Sequence, residues 1–136
     1  MNASLRAFIG GFLATLIFHQ GVLALLHMLD PNVPAPFNMA ATAPLGVPAV
    51  FSLAFWGGVW GLPIWWLIRH KRGARYWTRA IVLGALGPSL LALAVVFPLK
   101  GMPFMAGWDP KIIVGALILN GAWGLGLAVF MRLTRR

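Results

Sequence analysis

Four long apolar stretches constrain this chain more than any other feature. They are Leu5–Leu29, Ala49–Ile68, Ala80–Phe97 and Ile112–Leu133. A helix that crosses a lipid bilayer needs about 20 predominantly apolar residues, and each stretch meets or approaches that length. Lipid offers the backbone no hydrogen bonds, and the stretches lack the alternating pattern of a β-barrel. The sequence therefore predicts an all-α integral membrane protein with four transmembrane helices.

Charged residues are too few to cover a water-facing surface. Of the 136 residues, 60% are hydrophobic and 10% are charged, whereas a soluble domain carries about 25% charged residues. The chain contains no cysteine, which excludes disulfides, thiolate zinc sites, iron–sulfur clusters and thiol catalysis. The composition therefore favours a membrane protein and removes several cofactor classes.

Basic residues indicate which side of the bundle faces the cytoplasm. Nine of the eleven lie in the two termini and in a basic loop, 69–79, between the second and third stretches. They are Arg6, Arg69, Lys71, Arg72, Arg75, Arg79, Arg132, Arg135 and Arg136. The other connections hold Lys100 and Lys111 with both acidic residues, Asp30 and Asp109. Cytoplasmic segments carry an excess of Lys and Arg, so we expect both termini and the basic loop in the cytoplasm.

The basic loop also suggests what this end of the protein contacts. Basic residues near a membrane surface attract anionic lipids by about 1 kcal/mol each. The residues assigned to anionic lipid, or to an acidic partner, are Arg69, Lys71, Arg72, Arg75 and Arg79. Because these charges flank membrane spans, they give no reason to expect nucleic acid.

The two halves of the chain resemble each other. Residues 56–69 (WGGVWGLPIWWLIR) match residues 119–132 (LNGAWGLGLAVFMR) at five positions, including Trp60 and Trp123. A duplication would make 5–68 and 80–133 two tandem helical hairpins within one four-helix domain, 1–136. Copies that each contain two helices would be parallel, related by an axis along the membrane normal.

Small residues predict where the helices touch. Helices in lipid associate through glycine and alanine, which let two backbones approach closely. Gly57 and Gly61 lie four residues apart on the second helix, and Gly121 and Gly124 lie on the fourth. We expect these glycines to pack against other helices, either within the bundle or in a partner.

Four polar residues fall at similar depth inside the predicted spans. They are His19, Gln20, Ser89 and Asn120. An ionisable group within a membrane suggests a functional site. One interpretation is a neutral His19 that stabilises the bundle by a hydrogen bond to Asn120 or to a backbone carbonyl. The other is a ligand or substrate site in this midplane polar layer.

Histidine also raises the question of haem or chlorophyll. His27 lies near the end of the same helix as His19, and His70 lies in the basic loop, so no pair of histidines can hold one haem within the chain. A single-ligand pigment, or a haem shared between chains, remains open for His19. No other metal site is predicted.

Catalytic constellations are missing from the sequence. Asp30 and Asp109 are isolated carboxylates outside the spans, and no serine, histidine and acid form a plausible triad. No phosphate-binding loop or metal motif occurs. Asp109 followed by Pro110 instead predicts an N-cap and first turn for the fourth helix.

Three functions follow from these observations. The leading hypothesis is a non-catalytic accessory or stabilising subunit of a bacterial inner membrane, which packs against a larger membrane complex or against itself. The second is an oligomeric transporter or channel for small solutes that uses the midplane polar layer. The third is a haem- or chlorophyll-binding subunit that uses His19.

Overall fold

The computed structural model describes residues 1–135, and most of this chain is helical. Its four long helices are α1 (Ala3–Leu29), α2 (Ala49–Ile68), α3 (Gly73–Leu99) and α4 (Pro110–Leu133). Each is long and apolar enough to cross a membrane. The prediction of a multi-pass, four-helix membrane protein is therefore confirmed at this level.

Side chains at the helix starts satisfy free backbone N–H groups. The Asn2 side chain accepts a hydrogen bond from Leu5 N at 2.7 Å. Asp109 accepts one from Lys111 N at 3.0 Å, with Pro110 as the first helical residue, as the sequence predicted. These acceptors complete helix ends that would otherwise leave donors unsatisfied.

The basic loop is shorter than the range 69–79 that the sequence predicted. Helix α3 begins at Gly73, so Arg75 and Arg79 are helical and only residues 69–72 connect α2 to α3. The apolar stretch begins at Ala80, but charged side chains do not oppose a helix that extends beyond the membrane. A hydropathy criterion therefore places the start of this helix too late.

Two helices contain short π-helical turns. One is Thr15–His19 in α1, and the other is Ala92–Val96 in α3. Such turns insert an extra residue and rotate the side chains that follow, and they occur frequently at functional sites. The turn in α1 ends at His19, immediately before the buried Gln20.

The helices pack unevenly against one another. The most extensive contacts are between α3 and α4 and between α1 and α2, followed by α1 with α4. The contact between α2 and α3 is much smaller, although only four residues connect these helices. The bundle thus has one well-packed seam, between α1 and α4, and one loosely packed seam, between α2 and α3.

The buried core lies toward one end of the bundle. Arg6 near the start of α1 bonds Thr134 beyond the end of α4, which places both termini at the end that also carries residues 69–72. We call this the basic end and the opposite one the loop end. The main core cluster comprises Ala7, Ala14, Ile64, Trp123, Leu127 and Met131. By contrast, residues 21–29 of α1 and 110–120 of α4 include no buried residue.

The connections at the loop end are folded. In the first, strands Ala41–Thr42 and Val47–Pro48 pair in antiparallel fashion before α2 begins. In the second, a 3₁₀ turn spans Phe104–Trp108, and Met105 through Trp108 have positive φ. Non-glycine residues adopt this left-handed conformation at a cost of about 1–2 kcal/mol each, so surrounding contacts must support it.

Candidate functional site

The four residues of the predicted midplane polar layer form two separate pairs. His19 bonds Gln20 on α1, while Asn120 on α4 bonds Ser89 on α3. Within residues 1–135, no hydrogen bond joins one pair to the other. The partner of His19 is thus Gln20 and not Asn120, the side-chain partner that the structural interpretation had expected.

Gln20 determines the orientation of the His19 pair. Its Oε1 accepts the backbone N–H of Phe37 at 2.7 Å, and a backbone nitrogen can only donate. The amide nitrogen of Gln20 is consequently the atom that faces His19 Nδ1, at 3.0 Å. His19 Nδ1 therefore accepts, and the neutral imidazole carries its proton on Nε2.

Gln20 also holds the first loop against α1. It is buried, with 3% of its surface exposed, whereas Phe37 lies in the loop and has a positive φ. A second contact near the end of α1 joins His27 Nδ1 and the carbonyl of Val33 at 2.6 Å. The loop thus folds back along the helix, and Gln20 satisfies a backbone group that lipid could not.

Ser89 and Asn120 fasten α3 to α4. Ser89 Oγ donates to the carbonyl of Ala116 at 3.1 Å and accepts from Asn120 Nδ2 at 2.9 Å. Ser89 is buried and Asn120 is half-buried. Both polar groups are therefore used between two helices, as expected of side chains that stabilise packing in a membrane.

The geometry of His19 does not suit a metal ligand. A histidine that binds a metal usually donates its other ring N–H to a carbonyl or carboxylate. Here the Nδ1 atom already accepts from an amide N–H, and the proton on Nε2 occupies the second nitrogen. Within residues 1–135, no group of three His, Asp or Glu side chains could hold a metal ion either. If His19 bound haem or chlorophyll through Nε2, its proton would have to move to Nδ1. The Gln20 amide would then have to turn its oxygen toward His19 and lose the hydrogen bond from Phe37 N.

Glycine contacts bring α1 and α2 into direct backbone contact. A Cβ atom added to Gly61 would collide with the carbonyl oxygen of Ala7, and one added to Gly11 would collide with that of Gly57. A Cβ on Gly57 would meet the Thr15 hydroxyl. Gly57 and Gly61 thus lie at a helix contact within the bundle.

The contact between α3 and α4 repeats this arrangement. A Cβ on Gly124 would collide with the carbonyl oxygen of Ala80, and one on Gly84 would come within 2.9 Å of the Asn120 carbonyl oxygen. Gly121 is looser, since its added Cβ would lie 3.6 Å from side-chain atoms of Ala85 and Ile81. Of the four glycines predicted to mediate packing, only Gly121 has ordinary van der Waals clearance.

Trp123 closes the seam between α1 and α4. Its indole N–H donates to the carbonyl of Gly11 at 2.9 Å, and only 2% of the residue is exposed. The same carbonyl accepts from the Thr15 hydroxyl at 3.0 Å. The Gly11 carbonyl therefore accepts from donors on two helices, one for each of its lone pairs.

An apolar groove occupies the other seam, between α2 and α3. It has a volume of about 440 Å³ and almost no polar surface. Its lining comprises Trp56, Val59, Trp60, Leu62, Pro63 and Leu91. Trp60, the counterpart of Trp123 in the sequence alignment of the halves, lies here against Gly87.

The predicted basic site divides into two groups. Arg69, Lys71 and Arg72 line a cavity at the basic end, together with residues from α1 and α4. Arg75 and Arg79 are exposed on α3 and do not line it. Three of the five residues therefore share a cavity, and the other two lie on an exposed helix face, while the assignment of all five to anionic lipid or a partner stays a prediction.

Several important residues were not selected from the sequence. Arg6, Thr15 and Tyr76 each bond a backbone carbonyl, and Tyr76 reaches that of Ala128 at 2.7 Å. Arg6 entered the sequence analysis only through its charge, and the four-residue spacing from Gly11 to Thr15 is the signal that could have identified Thr15. The chain matches no protein-family model, no curated protein and no solved structure.

Proposed function

We propose that this protein is a non-catalytic accessory subunit of a bacterial inner membrane, and that it binds one transmembrane helix of a partner protein. The docking surface is the apolar groove between α2 and α3. The partner helix is apolar in the membrane and carries acidic residues at the level of the basic end. The groove in an otherwise packed bundle is the observation that supports this proposal.

Several features favour a protein partner at this groove. Trp56 and Leu62 are exposed in its lining, and large aromatic residues are enriched where proteins bind. Trp123 fills the seam between α1 and α4, whereas the seam between α2 and α3 is left open. A helix inserted beside α2 would complete the packing.

Charge favours a different protein over a second copy of this chain. The formal net charge is +9, and both acidic residues lie in the loop-end connections. Two copies side by side would bring their basic ends together, and like charges repel. A partner with acidic residues near Arg75 and Arg79 would instead be attracted.

The proposal also includes the orientation of the chain in the membrane and its origin by duplication. We place the basic end in the cytoplasm, following the excess of Lys and Arg in that region. We also propose two tandem hairpins that arose by duplication. Ala7 and Gly11 face Gly61 and Gly57 in the first pair, as Ala80 and Gly84 face Gly124 and Asn120 in the second.

Transport is the second function that the sequence left open, and the packing argues against it for a single copy. Ile64, Trp123, Leu127 and Met131 fill the half of the bundle near the basic end. The polar pairs His19–Gln20 and Ser89–Asn120 lie apart and are engaged within the protein. A solute path would therefore have to run between copies.

Site-specific crosslinking in native membranes tests the docking proposal. The chain has no cysteine, so a single cysteine can carry a photoactivated crosslinker without further changes. Leu62→Cys places it in the groove, and Ile118→Cys places it on α4 at similar exposure, 39% against 46%. We expect one discrete heteromeric product from Leu62→Cys and none from Ile118→Cys.

The partner's charge is tested by adding Arg75→Gln and Arg79→Gln to the Leu62→Cys variant. We expect the yield of the heteromeric product to fall severalfold, and mass spectrometry of that product should identify a helix with acidic flanks. A dimer of this chain as the sole product, or equal products from both cysteine positions, would contradict the proposal.

A further inference from the structure

A cavity of about 240 Å³ lies at the basic end, where the ends of all four helices meet. Six cationic side chains line it: Arg6, Arg69, Lys71, Arg72, Arg132 and Arg135. They come from both termini and from the short connection between α2 and α3. Residues distant in sequence thus converge on one partly open space.

The protein supplies no negative side chain to this cavity. Asp30 and Asp109 are the only acidic residues of the chain. Asp30 accepts from Asn32 N in the first loop, and Asp109 caps α4, so both lie at the opposite end. Six like charges around a small volume repel each other, and an anion placed among them would relieve that repulsion.

Two of the cations, Arg6 and Arg132, are held in place before any ligand arrives. Arg6 is half-buried, and its Nη2 donates to the carbonyl of Met131 at 3.0 Å and to Thr134 Oγ1 at 3.1 Å. Arg132 lies over the ring of Tyr76 at 5.9 Å, and Tyr76 is itself fixed by its bond to Ala128. Side chains ordered in advance lose less entropy on binding.

The chemistry of the lining suits a phosphate group. Guanidinium groups form paired hydrogen bonds with phosphate oxygens, and five of the six cations are arginines. The cavity has the volume of roughly eight water molecules at about 30 Å³ each, enough for a phosphate with a small substituent. Its position at the ends of the spans is the level of lipid headgroups.

We propose that this basic cavity binds a phosphate ester, supplied by the headgroup of an anionic membrane lipid. Basic pockets between transmembrane helices on the cytoplasmic side are suited to such headgroups. Trp65 and Met131 form part of the cavity wall, so the ligand meets apolar surface beside the charges. The site is independent of the groove between α2 and α3.

Lipid titration of the full chain in a neutral detergent tests this proposal. Native mass spectrometry would count bound phosphatidylglycerol, with phosphatidylcholine as the neutral-headgroup comparison and glycerol phosphate as the soluble phosphate ester. We expect one saturable phosphatidylglycerol site that phosphatidylcholine does not fill. Equal saturation by glycerol phosphate at the same concentration would overturn the lipid as the source.

Two double variants separate the cavity from general surface charge. Lys71→Gln with Arg72→Gln removes two charges that line the cavity, and Arg75→Gln with Arg79→Gln removes two that do not. We expect the first pair to weaken phosphatidylglycerol binding at least tenfold and the second to change it less than twofold. Equal losses in both would overturn the proposal.

A charge-conserving variant separates a loss of lipid binding from a loss of folding. Arg132→Lys keeps the charge but removes the planar fork, and Arg79→Lys is its control outside the cavity. We expect severalfold weaker binding for Arg132→Lys alone, with the circular dichroism spectrum of both variants unchanged. Unchanged affinity in Arg132→Lys would contradict phosphate recognition by this group.

Discussion

Trp60 and Trp123 occupy matching places in the two helix pairs, yet their surroundings differ. Trp123 is buried and donates to the carbonyl of Gly11 across the seam between α1 and α4. Trp60 is half-buried and lies against Gly87 beside an open apolar groove. Matching positions in the two pairs therefore differ in burial and in the hydrogen bond of the indole N–H.

The helix contacts within the two pairs, α1 with α2 and α3 with α4, resemble each other closely. The two seams between the pairs, α1 with α4 and α2 with α3, differ more. In both pairs, a glycine on the second helix lies against an alanine carbonyl on the first, Gly61 at Ala7 and Gly124 at Ala80. The polar groups diverge, because Gln20 holds a loop whereas Asn120 bonds Ser89 across two helices. Substitutions at matching positions can therefore measure how far the packing and hydrogen bonding of the two pairs differ.

The largest expected difference is between Trp123→Ala and Trp60→Ala. Trp123→Ala removes a fully buried ring and leaves the seam with a cavity, and we expect the free energy of unfolding to fall by about 3–5 kcal/mol. Trp60→Ala should cost clearly less, because its ring borders an existing groove. Denaturant titration in micelles, followed by circular dichroism, measures both. Equal losses would show that the two seams are equally packed.

The next effect concerns the glycines that the pairs share. Gly61→Ala and Gly124→Ala each place a methyl group against a backbone carbonyl, and such overpacking costs about 1–3 kcal/mol. We expect similar losses from the two, measured by the same unfolding titration. Gly121→Ala is the control, because its Cβ would lie 3.6 Å from the nearest side-chain atoms, an ordinary van der Waals distance. A large loss in only one of the two pairs would refute their equivalence.

Gln20→Leu tests the polar group that is specific to the first pair. The Phe37 N–H would lose its acceptor in this part-buried bond, and a typical intramolecular hydrogen bond contributes about 0.5–1.5 kcal/mol. We expect faster proteolysis within residues 30–48 and little change in helical content. His27→Leu, which removes the other contact between loop and helix, provides a comparison nearer the helix end. An unchanged cleavage rate would show that other contacts hold the loop.

The smallest effect is expected for Asn120→Gly, which gives the second pair the residue found at Gly57. The bond to Ser89 would be lost, and hydrogen bonds between membrane helices contribute about 0.6 kcal/mol on average. Added to this is the lower helix propensity of glycine, about 0.3 kcal/mol relative to asparagine. Asn120→Ala as a second variant separates the two terms. A loss of several kcal/mol in Asn120→Ala would mean that this pair organises the bundle.

The sequence predicted the spans because hydropathy and helix length are direct consequences of the bilayer. It also predicted the cap at Asp109, since capping is local chemistry. It did not find the partner of His19, because Gln20 is the next residue on the same helix and adjacent side chains on a helix ordinarily do not face each other. The left-handed turn at Met105–Trp108 had no glycine pattern to reveal it beyond Gly107.

Uneven burial along the helix axes also affects how the protein moves. The basic end carries the core cluster, while residues 110–120 of α4 and 21–29 of α1 contribute no buried side chain. Segments with few buried apolar contacts open locally at low free energy. The loop end, at residues 21–29 and 110–120, should therefore open locally at a lower free energy than the basic end of the same four helices.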